Sequence, residues 1–300
     1  MDMIGLFIYL IPMSLNSDQL DAFFEVAKCG SFSQAADQLA VSQPALSQRV
    51  KKLEETLQTV LFVRSGAGAL LTDTGQRLLL YCRNKRDLEA EFLQPTSSGK
   101  LMGIIRVAGF SSIMRSTVIP ALHSLLESNT GLQIELLTRE LHELPELLQT
   151  AQSDFVLTDK PLAAGAIESH FLGLEANVLV ESARASVKTP NIYFDHDAND
   201  QTTFQFFKKQ NRKPPPAFKR SFLDDIYTII DAVEQNWGRA IVPRHLIADN
   251  RRIRVVDKSP VMKTEVYLNY HTQLYYLPLH QALTRELSQN IPRLLGSLKP

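Results

Sequence analysis

Between Asn16 and Leu57 the apolar positions recur at steps of three and four, the spacing of one helix face, so the pattern predicts three short helices. Leu20, Phe23, Phe24 and Ala27 trace the first face; Asn16 can cap its start, with Gln19 at the third helical position, and Gly30 can stop it. Ser31 opens the second helix with Gln34 three residues on, and Ala35, Ala36, Leu39 and Ala40 form an apolar side small enough for close crossing. After Val41, the run SQPALSQRVKKLE begins the third helix: Ser42 caps it, and Pro44 falls in the first turn, where a missing N–H has no intrahelical partner to lose. Leu46, Val50 and Leu53 share its inward face.

Two short helices joined tightly predict a helix-turn-helix. LFVRSGAGALLT then reads as a strand at Leu61 to Val63, a turn at Gly66-Ala67-Gly68 and a returning strand at Ala69 to Leu71, a wing on that motif. Thr72 and Asp73 start a long helix to about Leu93, with a narrow stripe of Leu78, Tyr81 or Cys82, Leu88 and Phe92 that Lys85 interrupts. A narrow stripe leaving a small domain predicts pairing with a second copy of the chain. Pro95 to Gly99, PTSSG, reads as a linker.

From Lys100 the rhythm becomes alternating strand and helix, an α/β domain with a mostly parallel sheet. Strands are predicted at Ile104 to Ala108, Leu132 to Leu137, Phe155 to Leu157, Phe171 to Leu174, Val178 to Glu181, Asn191 to Phe194, Ala240 to Val242 and Val266 to Tyr270. Helices are expected from Ser111 to about Glu127, Pro145 to Thr150, Leu223 to Gln235 and Pro278 to Leu295, with the basic, proline-rich KKQNRKPPPAFKR, Lys208 to Arg220, as a solvated connection.

Composition adds little: Lys plus Arg and Asp plus Glu are 32 each, so no overall basic field advertises a nucleic-acid partner and any basic patch is local. The two cysteines, Cys29 and Cys82, form no CxxC pair and read as small packed side chains. The apolar opening MDMIGLFIYLIPM is shorter than the roughly 20 residues of a membrane span and has no Lys or Arg before it, so we expect Met13 as the natural start, the cytoplasm as the compartment, and no membrane partner.

With Leu46, Val50 and Leu53 inward, the third helix presents Pro44, Ser47, Gln48 and Lys51 outward, with Lys52 on the flank and Gln43 in the first turn. Gln can bond the N6 and N7 edge of adenine, Ser can bond either kind of base edge, and the proline ring can touch a thymine methyl. Lys51, Lys52 and Arg64 are placed for phosphates, which set register without reading sequence. From Ser42 to Arg64, four cations face two carboxylates, a modest footprint that favours binding as a pair.

Residues 14–95 resemble the N-terminal domain of the LysR-type transcriptional regulators, through LDAFFEVAKCGSFSQAADQLAVSQPALSQRVKKLEETL, LFVRSGAGALLTDTG and the long helix after them. Residues 96–300 fit that family's effector domain through IIRVAG near its start and WGRAIVP late in it. The resemblance implies an α+β multidomain chain: a winged helix-turn-helix at 14–72, a linker and dimerisation helix at 73–95, and a two-lobed α/β domain like a periplasmic binding protein at 96–300. Lobe I is expected at about 101–159 and 266–300 and lobe II at about 160–265, with a small molecule bound between them. It further implies a regulator of promoter DNA, a homodimer or homotetramer, contact with RNA polymerase, base-edge roles for Gln43, Pro44, Ser47 and Gln48, and Arg64 at the start of the wing. Members often carry further arginines in the wing, whereas SGAGALL has none.

The resemblance also implies effector contacts at Ser111, Ser112, Thr138, Arg139, Thr158 and Phe222. The two serines follow a strand and open a helix, where free N–H groups favour a carboxylate or phosphate, so an anionic or amino-acid-like effector is expected. The alternative is a small-molecule-binding or enzymatic α/β protein without a regulatory role. Against an enzyme, the seven histidines are scattered, with no HExxH, GxSxG, GxGxxG or P-loop pattern, and we expect no catalytic residues, no metal ligands and no cofactor.

Overall fold

The computed structural model describes residues 15–65, 68–92, 100–162, 166–186, 190–213, 218–256, 261–273 and 275–296. The expectations for residues 1–12, for the wing tip at 66–67, for PTSSG and for the proline run of KKQNRKPPPAFKR fall outside them. The chain divides into two compact units, residues 1–94 and 95–300.

The first unit begins with α1 (Ser17–Cys29), α2 (Phe32–Gln38) and α3 (Gln43–Leu57). Each starts where its cap predicts: Asn16, Ser31 and Ser42 accept from the N–H of Gln19, Gln34 and Ala45. Gly30 ends α1 at φ 64°, a left-handed setting that costs glycine little. Ala40 takes φ 52° between α2 and α3, so the turn of the motif carries a non-glycine left-handed residue.

The wing pairs β1 (Phe62–Ser65) antiparallel with β2 (Gly68–Leu71). Phe62 packs against Phe23 of α1 and Phe32 of α2, with ring centroids 5.3 and 5.6 Å apart. The N–H of Ala69 donates to the Gly30 carbonyl, and a Cβ on Gly68 would lie 2.5 Å from that same oxygen, so β2 approaches α1 at glycine distance. Then α4 (Asp73–Phe92) leaves the wing, its start capped by Thr72, which accepts from Gly75 N–H at 3.0 Å. Arg86 of α4 ties back to Asp21 at 2.7 Å and lies 3.7 Å over the ring of Phe24. Cys82 is buried, and burial pushes its thiol up to about 11, as befits a packed, unreactive side chain.

The second unit is built on β3 (Met102–Gly109), α5 (Ser111–Ile113), α6 (Ile119–Ser128), β4 (Gly131–Thr138), α7 (Leu144–Gln149), β5 (Phe155–Thr158) and β6 (Ile167–Ser182). It continues with β7 (Ile192–Asp195), α8 (Thr202–Lys209), β8 (Lys219–Phe222), α9 (Ile226–Glu234), β9 (Arg239–Pro243), β10 (Ile253–Val255), β11 (Met262–His271) and α10 (Pro278–Leu294). One wide π turn, Met114–Val118, joins α5 to α6. Its cause is local: Pro120 has no N–H to return to the carbonyl of Ser116, while Ser116 and Thr117 bond the carbonyls of Ser112 and Ile113 through their hydroxyls.

The strands form one nine-stranded sheet in the order β4-β3-β5-β11-β6-β9-β7-β8, with β10 on β6. Parallel pairs lie at each end: β3 with β4 and β5, and β7 with β8 and β9. The middle differs from the mostly parallel expectation, because β6 runs antiparallel to β11 and to β9. The two strands expected at 171–174 and 178–181 are one continuous strand, β6. It pairs with β11 over Ile167–Asn177 and with β9 over Asn177–Glu181, changing neighbours rather than stopping. Strand β8 and helix α8, which the basic composition concealed, complete the far end.

Each end of the sheet has its own core. Ile105, Val107, Leu157, Val266 and Leu268 pack under α6 and α10 at one end. At the other, Val178, Val180, Ala240 and Val242 face α9, while Leu179, Tyr193 and Ile241 face Phe206 and Phe207 of α8. These are two lobes joined by β6 and β11. In the first lobe His280 sits among Phe155, Tyr270 and Tyr276, with centroids 4.5, 4.7 and 4.6 Å away. Burial there pushes its imidazole down to about 4. The unfolded chain therefore takes up this proton near pH 6.5 and the folded chain does not, so stability falls as pH drops below about 6.5. On the order of 2 kcal/mol should be lost between pH 7 and pH 5, and His280→Phe should remove that slope in urea unfolding followed at several pH values.

Candidate nucleic-acid interface and ligand cleft

In α3, Leu46, Val50 and Leu53 are buried, each worth about 1.5–3 kcal/mol, and this sets the rotation of the helix. Gln43, Pro44, Gln48, Lys51 and Lys52 are exposed on the opposite side, with Ser47 half-buried among them. Lys51 reaches Glu55 at 3.7 Å, but both ends are largely in water, so the pair holds the lysine weakly. Arg64 lies in β1 opposite Ala69. Glu54, which in the sequence is simply an opposing charge, fastens the wing in the fold. Its Oε1 accepts from the N–H of Leu61 at 2.8 Å and of Phe62 at 3.4 Å, fixing the root of the wing on α3.

In the second unit the expected contact residues follow the carboxyl ends of parallel strands, where open α/β sheets take ligands. Ser111 and Ser112 follow β3, Thr138 ends β4 with Arg139 next, Thr158 ends β5, and Phe222 ends β8. Their availability differs. Ser112 is buried and donates to Glu175 Oε1 at 2.7 Å. Thr158 is also buried; its hydroxyl donates to the Lys160 carbonyl and accepts from Asn269, so it is spent on the hinge side of the sheet. Arg139 is exposed and bonds the Thr138 carbonyl. Phe222 is 47% exposed and, with Phe204, flanks the Arg220 guanidinium, which is paired to Asp195 at 2.5 Å.

Sequence reading missed the groups between the lobes. Glu175, on β6 where the strand changes neighbours, is 4% exposed. His245, just after β9, places Nε2 3.0 Å from Glu175 Oε1 and Nδ1 3.0 Å from Ser116 Oγ. Arg115 of the π turn lies 4.5 Å over the ring of Tyr227 in α9. Residues after β3 thus touch residues after β9 and in α9, across the lobes. The one available signal was the polar break at Glu175 and Asn177 inside an apolar run, which reads equally well as the end of a strand.

Ser116, His245 and Glu175 stand in the order of a nucleophile, base and carboxylate. Ser116 however donates to the Ser112 carbonyl at 2.6 Å, and the side chains of His245 and Glu175 are nearly closed from solvent. Among those residues no group of three His, Cys, Asp or Glu is placed to hold a metal ion, and no helix is long and apolar enough to cross a membrane. A cavity of about 370 Å³ lies on the first lobe, lined by Tyr270, Tyr276, His280, Thr284 and Arg285 among others, and contains none of the expected contact residues. It is a groove beside α10, and the hydrogen-bonded groups between the lobes are the better candidate site.

The bacterial regulatory helix-turn-helix model of the lysR family matches residues 17–76, and the LysR substrate binding domain matches residues 98–292. The RuBisCO operon transcriptional regulator of Allochromatium vinosum is 30% identical over 268 residues, 82% of this chain and 86% of that protein. Among solved structures, ArgP from Mycobacterium tuberculosis superposes with a TM-score of 0.75 at 20% identity, covering 92% of this chain and 97% of that one. Full-length LysG from Corynebacterium glutamicum with bound effector Arg gives 0.73 at 18% identity, covering 95% and 100%. The chain belongs to the LysR family: it is a DNA-binding transcriptional regulator with an effector-binding domain, and not an enzyme.

The Glu54 contacts generate a prediction for the head. Glu54→Ala leaves two N–H groups at the wing root unpaired and should lower the stability of the first unit by about 1–3 kcal/mol, read as a lower thermal midpoint, with weaker DNA binding in step.

Proposed function

We propose that the protein reads promoter DNA through the outward face of α3, with Gln43, Pro44, Ser47 and Gln48 meeting base edges and Lys51, Lys52 and Arg64 meeting phosphates. The observation that carries this reading is the rotation of α3: burial of Leu46, Val50 and Leu53 leaves those α3 residues together on the open side. The working limits are a head at 14–72, a linker helix at 73–95 and an effector domain at 96–300, with lobes at about 101–159 plus 266–300 and 160–265. The linker helix pairs two copies, as a homodimer or a tetramer, and the assembled regulator acts in the cytoplasm and engages RNA polymerase. Tyr81, Leu88 and Phe92, exposed along α4, support the pairing.

The small molecule binds between the lobes, among Ser111, Ser112, Thr138, Arg139, Thr158 and Phe222. It favours one lobe arrangement over another, and only that difference in affinity can move the DNA-reading heads. Hydrogen bonds that already cross the lobes, Ser112 to Glu175 and Ser116 to His245, supply two arrangements to choose between, made or broken.

Binding of variants to a selected duplex tests the division of labour. Ser47→Ala or Gln48→Ala should cost about 1–3 kcal/mol and relax discrimination at one base position, whereas Lys51→Ala should weaken specific and non-specific DNA alike and reduce the salt slope by about one. Identical effects of both kinds of change on every sequence would contradict the assignment.

A further inference from the structure

The groups between the lobes define the chemistry of what they take. Both bonds that reach the carboxylate of Glu175 end on one oxygen: Ser112 Oγ donates to Oε1 at 2.7 Å and His245 Nε2 lies 3.0 Å from it. Oε2 accepts no hydrogen bond among the described residues, on a residue that is 4% exposed. The hydroxyl of Tyr227, on the facing α9, is buried without a hydrogen bond of normal geometry, beside Ser116. Two oxygens, one negative, therefore border the cleft with acceptor capacity to spare.

Several donors that would suit an anion there are already engaged. Ser112 donates to Glu175, Ser116 is bonded to the Ser112 carbonyl and His245, and Arg220 is paired to Asp195. A carboxylate or phosphate placed against Ser112 would also stand beside Glu175, where like charge disfavours it. Arg115 lies over the ring of Tyr227 and, like Arg139, makes no ion pair among the described residues.

We propose that the effector carries a primary ammonium group, and that Glu175 Oε2 is its acceptor, with Tyr227 Oη as a second partner. Arg115 then stands where a carboxylate on the same small molecule can meet it, so an α-amino acid or a related amine fits better than an acid alone. A three-donor ammonium can satisfy both oxygens at once. The proposal rests on the reading that the cleft between the lobes is the effector site.

The test is thermal melting of the full chain against amino acids and alkylamines, each matched with the acid or alkane derivative lacking its nitrogen. An amine should raise the melting temperature in a saturable way, and its nitrogen-free match should bind about 100-fold more weakly or not at all. Glu175→Gln keeps the shape and should raise the dissociation constant at least about tenfold, since a charge-assisted bond is lost. Tyr227→Phe should raise it severalfold, which gives a second reading should Glu175→Gln fold poorly. A nitrogen-free ligand that is weakened by Tyr227→Phe but not by Glu175→Gln overturns the ammonium assignment and leaves the cleft reading intact. A ligand indifferent to both changes overturns the cleft reading too, and a panel in which no amine shifts the melting temperature overturns the ammonium assignment.

Discussion

The effector unit depends on one ladder, the antiparallel pairing of β6 with β11. Two strands carry the whole sheet from one core to the other, and Asn177 is where β6 ends its pairing with Met262 and begins with Pro243. The ladder runs through ten registered pairs, and each core stays close-packed at its own end of it. That constraint makes the position of Glu175 consequential: a buried carboxylate two residues from the change of neighbour, bonded to a serine of one lobe and a histidine of the other.

The DNA-reading unit obeys a different constraint, that of orientation. Three buried side chains set the rotation of α3, Ser42 sets its start, and the wing is fastened to the same body at several points. Gly68 comes close to the Gly30 carbonyl, Glu54 holds the N–H groups at the wing root, and Phe62 packs against α1. Gly75 brings α4 against the Leu61 carbonyl, where a side chain would collide. A rigid head of this kind presents the outward face of α3 at a defined angle, which is what the proposed direct readout requires.

The head was legible in the sequence because its signals are local. Caps at Asn16, Ser31 and Ser42, a stop at Gly30 and a three-and-four periodicity each act within one turn of chain, and the three helices begin where those residues place them. The effector domain was legible in class but not in detail. Strand β6 read as two strands because Glu175 and Asn177 interrupt its apolar run, and nothing in the neighbouring residues announces a change of partner. Helix α8 and strand β8 lay in and beside a basic, proline-rich stretch that resembles a solvated loop. Ser112 is an expected effector contact, and its hydroxyl is instead bonded to Glu175, 63 residues away in sequence, which no local signal shows. The groups between the lobes come from four separated segments, and only folding brings them together.

The proposed reading, in which two copies of the chain meet DNA in register through the exposed face of α3, requires a paired footprint. The most direct measurement is hydroxyl-radical footprinting of the full chain on a duplex selected from a random pool. The expected result is two protected half-sites related by a dyad and separated, centre to centre, by about one helical turn or a multiple of it, roughly 10–10.5 base pairs per turn. A single unpaired half-site, or protection that spreads evenly without regard to sequence, would contradict it.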